Sequence, residues 1–400
     1  MLEPISSGRL LGIAAIVLSF SAPLSAATIK DVLDHAWSTR AQTARAEHYE
    51  AQIAASGAWV PEPPTLSLSG RSDQIDAKNG LREWEAEISQ PIWLPGQRER
   101  AKAVAQSERE AGMQRFTFDH WQFAGELREA WWEARLAEAE QTEAERKVME
   151  VSQLEGDVIR RVKAGDLAPL DLNQTRASLA VAKADVLRAK TAVVRTTEQF
   201  RALSKGAPLP DLPELAVSSD AGKIDQHPAL THRTAATAAA QAKLRQTSGD
   251  TRNTPEIGVT LTRERNSVSD PYQNLAKLTL KIPFGSESRN QPRITAANAD
   301  LIEAQLLAEQ TQRKLEATVV AGKLELEQGQ QTVLILEDRL QLVEQSSAWV
   351  DKGFRAGQLD LPAKLKAEAD LASARLSLTR ARLESARSIS RYNQAVGVLP

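Results

Sequence analysis

The sequence contains no cysteine. That absence excludes disulfides, thiolate metal sites and lipid modification of an N-terminal cysteine. Methionine is scarce, at 3 residues, too few for a soft-metal relay. The histidines His35, His48, His120, His227 and His232 are scattered, and none pairs at the i, i+4 spacing of a helical metal site. Charge of one sign is lacking too: 50 basic residues face 52 acidic ones, and the net charge of −2 argues against a nucleic-acid partner. No nucleophile–base pair or glycine-rich phosphate loop stands out, so neither catalysis nor a cofactor is expected. Beyond residue 27 no run is apolar enough to cross a bilayer as a helix, which takes about 20 residues.

What is present is Ala, Leu, Glu, Arg, Lys and Gln, the composition of long helices and coiled coils. Residues 1–27 read as an export signal: Arg9 is the positive flank, Leu10 to Phe20 the apolar core, and Ser25-Ala26-Ala27 a small-residue cleavage site. The apolar core is too short for a membrane anchor. An exported chain without a membrane helix is periplasmic, secreted or an outer-membrane barrel.

The stretch LREWEAEISQPIWLPGQRERAKA, beginning at Leu81, organises the rest. Arg82, Trp84, Ala86 and Ile88 alternate with Glu83, Glu85, Glu87 and Ser89, the period of a strand with one oily and one wet face. Pro91 ends the ladder, because it has no N–H to donate. Pro95 and Gly96 break the chain again, and helix formers follow. A second copy reads NLAKLTLKIPFGSESRNQPRITAA from Asn274, with Ala276, Leu278, Leu280 and Ile282 opposite Lys277, Thr279 and Lys281, and with Pro283 and Gly285 at its swivel. The landmarks Pro91 and Pro283, and Gly165 and Gly357, share one offset: 283 − 91 and 357 − 165 both give 192. The chain is therefore a tandem duplication of a unit too large for a solenoid repeat.

The expected order follows. A helix from Thr28 to about Ala58 precedes a hairpin of strands at Thr65–Gly70 and Arg82–Pro91. A very long helix spans Arg98 to about Lys163, and a return helix runs from Pro169 to about Leu203. The second unit repeats this with a helix from Pro228 to about Thr247, strands at Glu256–Arg263 and near Asn274–Ile282, a long helix from Pro292 to about Phe354, and a return from Leu361 to about Val396. In the second long helix, Ile294, Ala297, Leu301, Ala304 and Ala308 step by three and four, as do Leu326, Val333, Leu336, Leu340 and Val343, a heptad-like seam. The expected domains are a first repeat at 28–203, a linker at 204–226 and a second repeat at 227–400.

Two amphipathic strands cannot bury their oily face, nor can four. A closed barrel solves this, and in lipid it satisfies every strand N–H and C=O. Four strands per chain are too few, so several chains must contribute, with the helices continuing the barrel as a tube. In the duplication, the paired hairpins, the strand–proline–helix joint and the turns RVKAGDLAPLDL and FRAGQLDLPAKL, the chain resembles the TolC-like outer-membrane efflux family. The joint EISQPIWLPGQRERAKA is similar to that of its heavy-metal, CzcC-like branch. The resemblance implies a mainly α fold of long antiparallel helical hairpins, with four strands per chain completing a twelve-stranded barrel in a homotrimer. It further implies a non-lipidated outer-membrane channel that docks with a periplasmic adaptor and an inner-membrane pump of the resistance–nodulation–division (RND) type and exports metal cations. Drug or small-molecule efflux and type I secretion are the alternatives within the family, and a soluble periplasmic coiled-coil scaffold or adaptor is the alternative of another class.

Glu83, Glu85, Glu87, Lys277 and Lys281 are then expected to face the lumen; in a soluble sandwich they would simply be a solvated face. Trp84, Trp93, Tyr272 and Phe284 suit interfacial girdles, or plain packing at the neck. Gly165 and Gly357 permit the left-handed residue that ends a helix, and under the resemblance these turns are the periplasmic tips. Asp166, Asp171 and Asp360 beside them would form acidic rings around a threefold axis or cap helices; capping is the expectation for Asp166. Asp171 matches the family's acidic position, although its counterpart in the second half is Ala363. Arg160, Arg161 and Arg355 are candidates to hold a closed tip by ion pairs.

Overall fold

The structure, a computed structural model, describes residues 28–76, 79–215, 223–284 and 287–400. The proposed signal segment 1–27 and the swivel residue Gly285 lie outside the described residues, as does part of the linker. The chain is mainly helical, with one antiparallel sheet.

The first helical segment is two helices. Thr28 starts α1 (Ile29–Ala36) with a capping box in which it and Asp31 satisfy one another's orphan N–H groups. At Trp37 the backbone turns extended and α2 (Arg40–Ser56) begins anew. At this break the Trp37 ring stacks on His120, with centroids 4.7 Å apart. Strands β1 (Thr65–Ser72) and β2 (Arg82–Pro91) follow, then α3 (Gln97–Ala164) and α4 (Pro169–Leu203). At 68 residues α3 is roughly 100 Å long.

After a 3₁₀ turn at Ile224–Gln226, the second unit repeats the order with α5 (Pro228–Gly249), β3 (Glu256–Arg265), β4 (Gln273–Lys281), α6 (Glu287–Arg355) and α7 (Leu361–Ala395). Helix α6 starts before Pro292, which therefore lies inside its N-terminal part rather than opening it. The heptad seam is where the expectation put it. Ala297 is buried; Ile294, Leu301, Ala304, Ala308, Leu326, Val333, Leu336, Leu340 and Val343 are half-buried, while most intervening residues are exposed. Helix α3 packs along α4, and α6 along α7.

The sheet order is β1-β2-β3-β4, all antiparallel, so the two hairpins lie side by side. The core lies instead among the helices. Ile29, Val32 and Leu33 of α1 pack on Ala124, Leu127, Trp131 and Trp132 of α3 and on Phe200 of α4. A second cluster, Leu154, Val158, Phe354 and Leu361, joins the two interhelical turns far from the sheet.

Candidate functional site: the open sheet and the helical tips

The sheet keeps its two faces apart by strict alternation. Registers Leu66↔Ile88↔Val259↔Leu278 and Leu68↔Ala86↔Leu261↔Ala276 place apolar side chains in rows across one face. Leu68, Leu261 and Leu278 are exposed there, at 74%, 61% and 76%. No helix covers this face, and β1 and β4 leave both edges without a strand partner among the described residues. An uncovered apolar face with two free edges is unstable in water and open to further pairing.

The opposite face is charged and internally paired. Lys277 lies 3.7 Å from Glu85, and Lys281 lies 3.7 Å from Glu87 and 3.5 Å from Glu256. Ser69 donates to Glu85 at 3.2 Å, and Glu83 lies 4.0 Å from Arg71. All five predicted wet-face residues thus share one surface. Acid on β2 is answered by base on β4, but by parity five carboxylates (Glu83, Glu85, Glu87, Glu256 and Glu264) share the face with three cations (Arg71, Lys277 and Lys281). The face is therefore net acidic, and the described residues hold no metal-chelating cluster.

The joints differ between the halves. In the first, the Trp93 indole N–H donates to the Ala58 carbonyl at 3.0 Å, and Arg98 donates to the Gly57 carbonyl. Arg100 pairs with Asp250 at 2.6 Å, tying α3 to the end of α5. The Ile92 N–H donates to Pro255 at 2.8 Å, so the ladder carries on past Pro91 by one bond. Trp93 is therefore packed at the neck, whereas Phe284 in the second joint is 89% exposed.

At the tips Gly165 and Gly357 have φ of 86° and 72°, the left-handed region that residues with a Cβ rarely adopt. Both close Schellman turns: Asp166 N–H donates to Arg161 O at 2.9 Å and Gln358 N–H to Gly353 O at 2.9 Å. The helix-start carboxylate at the first tip is not that of Asp166. Asp171 takes that role, accepting from the Ala168 N–H at 2.9 Å, because α4 starts at Pro169 and only its third position can reach back. At the second tip Asp360 caps α7, accepting from the Ala363 N–H at 3.0 Å.

The tips are locked to each other. Arg161 donates to the Phe354 carbonyl at 3.0 Å, and its guanidinium stands 4.7 Å over the Phe354 ring. Arg160 binds only Asp157 of its own helix, at 3.2 Å, and is largely exposed. Arg355 pairs with Asp351 at 2.9 Å. Within the second hairpin Lys364 of α7 is buried, 2.7 Å from Asp351 of α6 and 3.1 Å from Glu368 of its own helix. Its hydrogen bond to Lys364 holds the Asp351 carboxyl below the usual range. Burial opposes the charge on Lys364, but Asp351 and Glu368 outweigh it and hold its pKa up. Burial pushes the Glu368 carboxyl up, with Lys364 offsetting only part.

No family model and no curated protein matches this sequence. Solved structures do. A structure of CusC, described for its transmembrane channel formation, superposes with a TM-score of 0.77 at 16% identity over 92% of both chains. VceC, an outer membrane protein of Vibrio cholerae, superposes at 0.76 with 14% identity over 92% of this chain and 96% of that one. The CmeC outer membrane channel of Campylobacter jejuni superposes at 0.74 with 13% identity over 92% and 85%. The chain has the TolC-like outer-membrane channel fold.

Within this TolC-like fold two constellations were not anticipated. The first is a belt around Arg128, which is only 2% exposed. Its guanidinium donates to both carboxylate oxygens of Glu214 at 3.0 Å, to the Val398 carbonyl at 3.0 Å and to the Gln394 side chain. Beside it the Trp131 indole donates to Pro210 O at 2.8 Å, and Asn393 donates to Leu215 O at 2.9 Å. The proline-rich linker is thus strapped between α3 and α7. The second is a ladder of α7 arginines on α3 glutamates: Arg375 on Glu150 at 2.6 Å, Arg380 on Glu140 at 2.7 Å, and Arg387 and Arg391 on Glu129. An arginine within the apolar stripe Ala124–Leu127–Trp131 is the local signal for the belt. The ladder has none, because its partners are over two hundred residues apart. The described residues include no cluster able to hold a metal ion and no helix long and apolar enough to cross a membrane.

Proposed function

We propose that this chain is the outer-membrane exit channel of an efflux assembly. Three copies close the sheet into a twelve-stranded barrel, and the helices extend it as a periplasmic tube. The observation that carries the reading is the open sheet: an uncovered apolar face, a paired polar face and two free edges above helices of 68 and 69 residues. Lipid on one face, water in a lumen on the other and a neighbouring copy at each edge satisfy all three at once.

The tips are the docking and gating end. Gly165 and Gly357 shape them, Arg161 ties the first tip to the second through Phe354, and Lys364, Asp351 and Glu368, with Arg355 on Asp351, hold the second hairpin closed. A periplasmic adaptor engages the turns, and an inner-membrane RND pump supplies the energy. The wet face has a modest acidic excess, its lysines paired and no chelating cluster among the described residues, which suits a conduit that passes cations without holding them. The cargo is heavy-metal cations, a reading supported by the sequence of the first joint.

Fractionation tests the channel: the mature chain is expected in the outer membrane as a trimer that shifts on gels only after heating. Recovery as a soluble periplasmic protein would favour a coiled-coil scaffold instead. Growth of a deletion strain on graded zinc, cobalt, cadmium, copper and silver salts tests the cargo. Sensitivity to drugs or dyes alone would keep the channel and reject the metal assignment.

A further inference from the structure

The apolar face of the sheet does not stay apolar to its outer end. Successive registers toward the hairpin turns read Gly70↔Trp84↔Arg263↔Asn274 and then Ser72↔Arg82↔Arg265. Strand parity puts Arg82, Arg263 and Arg265 on the same face as Leu66, Ile88, Val259 and Leu261. Tyr272 braces two of them: its ring centroid lies 4.8 Å from the Arg263 guanidinium and 5.1 Å from that of Arg265. Arg265 spends its Nε–H on the Gly80 carbonyl, at 3.1 Å, which fixes the head while leaving its terminal nitrogens. Among the described residues none of the three arginines forms an ion pair with a carboxylate. By contrast, Arg71, whose parity puts it on the wet face, lies near Glu83.

Directly below lies a groove of about 510 Å³, bordered by Leu68, Gly70, Trp84, Ala86, Leu261 and Arg263. Gly70 lets the indole lie flat on the strand, since a Cβ there would meet the Trp84 ring at 3.1 Å. Three unpaired arginines repel one another, and on a lipid-facing surface they need an anion. The guanidinium fork matches phosphate in two-point contacts, and aromatic stacking holds it in place. A phosphate cluster above an apolar slot is the shape of an acylated, phosphorylated lipid at the membrane boundary.

We propose that Arg82, Arg263 and Arg265, braced by Tyr272, bind the phosphates of an acylated glycolipid of the outer leaflet, with an acyl chain in the groove beside Trp84. The site rests on the outer-membrane channel reading, which puts the hairpin turns outside because the helices leave the opposite end of the sheet.

The full-length mature channel is purified in detergent and offered diphosphoryl lipid A, the same lipid dephosphorylated, and phosphatidylethanolamine, with binding read by native mass spectrometry. Diphosphoryl lipid A is expected to bind at least tenfold tighter than either other lipid, and 1 mM inorganic phosphate is not expected to displace it. Arg82→Gln/Arg263→Gln/Arg265→Gln is expected to erase the preference. Gly70→Leu, which crowds the indole and the groove, is expected to weaken binding with the arginines intact. Equal binding of phosphorylated and dephosphorylated lipid overturns the site with no variant needed. Full displacement by free phosphate reduces it to a simple anion site and also overturns it. A chain absent from the outer membrane sinks the channel reading; a trimer in that membrane with no phosphate preference sinks this site alone.

Discussion

The two long helices are nearly equal in length, at 68 and 69 residues, and they bury very different things. Helix α3 buries Leu127, Arg128, Trp131 and Trp132 in the belt, along with Val151, Leu154 and Val158 toward the tip. Among the described residues of α6 the buried side chains are Ala297, Leu315, Ser347 and Phe354. Beyond its seam with α7, α6 instead exposes Leu306, Val320 and Leu334 at fourteen-residue steps, and Ile335, Leu342 and Trp349 at seven-residue steps. A second apolar stripe at heptad spacing wants a helical neighbour. The two long helices have therefore divided the labour: α3 holds the chain together, and α6 presents a face to whatever surrounds it.

The sharpest way to break this comparison is to make the α6 stripe polar. Leu334→Ser/Ile335→Ser/Leu342→Ser should leave the helical circular dichroism of the chain intact while the trimer is lost on unheated gels. A helix that melted instead would mean the stripe serves the fold and not assembly. The matching test in α3 is Arg128→Ala, which strands Glu214 at 10% side-chain exposure. Removing one partner of such a pair costs about 3–5 kcal/mol, so thermal unfolding should shift down by many degrees; no shift would remove the belt from its central place.

At the tips, Lys364→Ala leaves Asp351 and Glu368 facing each other. It should cost roughly 1.5–3 kcal/mol, the scale of charged hydrogen bonds, and raise proteolysis at the turns. A tip as resistant as the wild type would refute this clamp between α6 and α7. Acid should strain the belt next. Burial lowers the pKa of His120, His227 and His232 from 6.5. The unfolded chain then binds more protons, so their contribution is full above pH 6.5 and is lost as pH falls through the depressed values. Melting temperature should drop over that window, and His227→Gln/His232→Gln should flatten the slope; an unchanged slope would place the acid sensitivity elsewhere. The smallest effect belongs to the caps. Asp360→Ala should cost about 1 kcal/mol, seen as faster amide exchange in the first turn of α7 alone.

Much of this was legible in local pattern. Alternation at 82–89 and 274–282 separated the faces of the sheet before any coordinates, because a strand has a period of two whatever it pairs with. Pro169 and Gly165 marked the first tip to the residue, since their backbone preferences act within a turn. The failures came where distant groups decide. The expected single helix from Thr28 breaks at Trp37, where the indole stacks on His120 of a distant helix. Asp171 and not Asp166 meets the free N–H at the first tip, because the exact start of α4 decides which carboxylate can reach. Range alone places the linker at 204–226, yet Trp131 and Asn393 bind its carbonyls and Arg128 binds its Glu214.

The sequence by itself determined the elements, the duplication and the two-faced character of the strands, since all three follow from short-range periodicity and backbone restriction. Only the tertiary structure decided that both hairpins form one sheet with two free edges. It alone decided that Arg161 crosses to Phe354 and that three arginines and a tyrosine meet at one corner of the apolar face. Those are juxtapositions of residues far apart along the chain, and no local rule of propensity or period carries information about them.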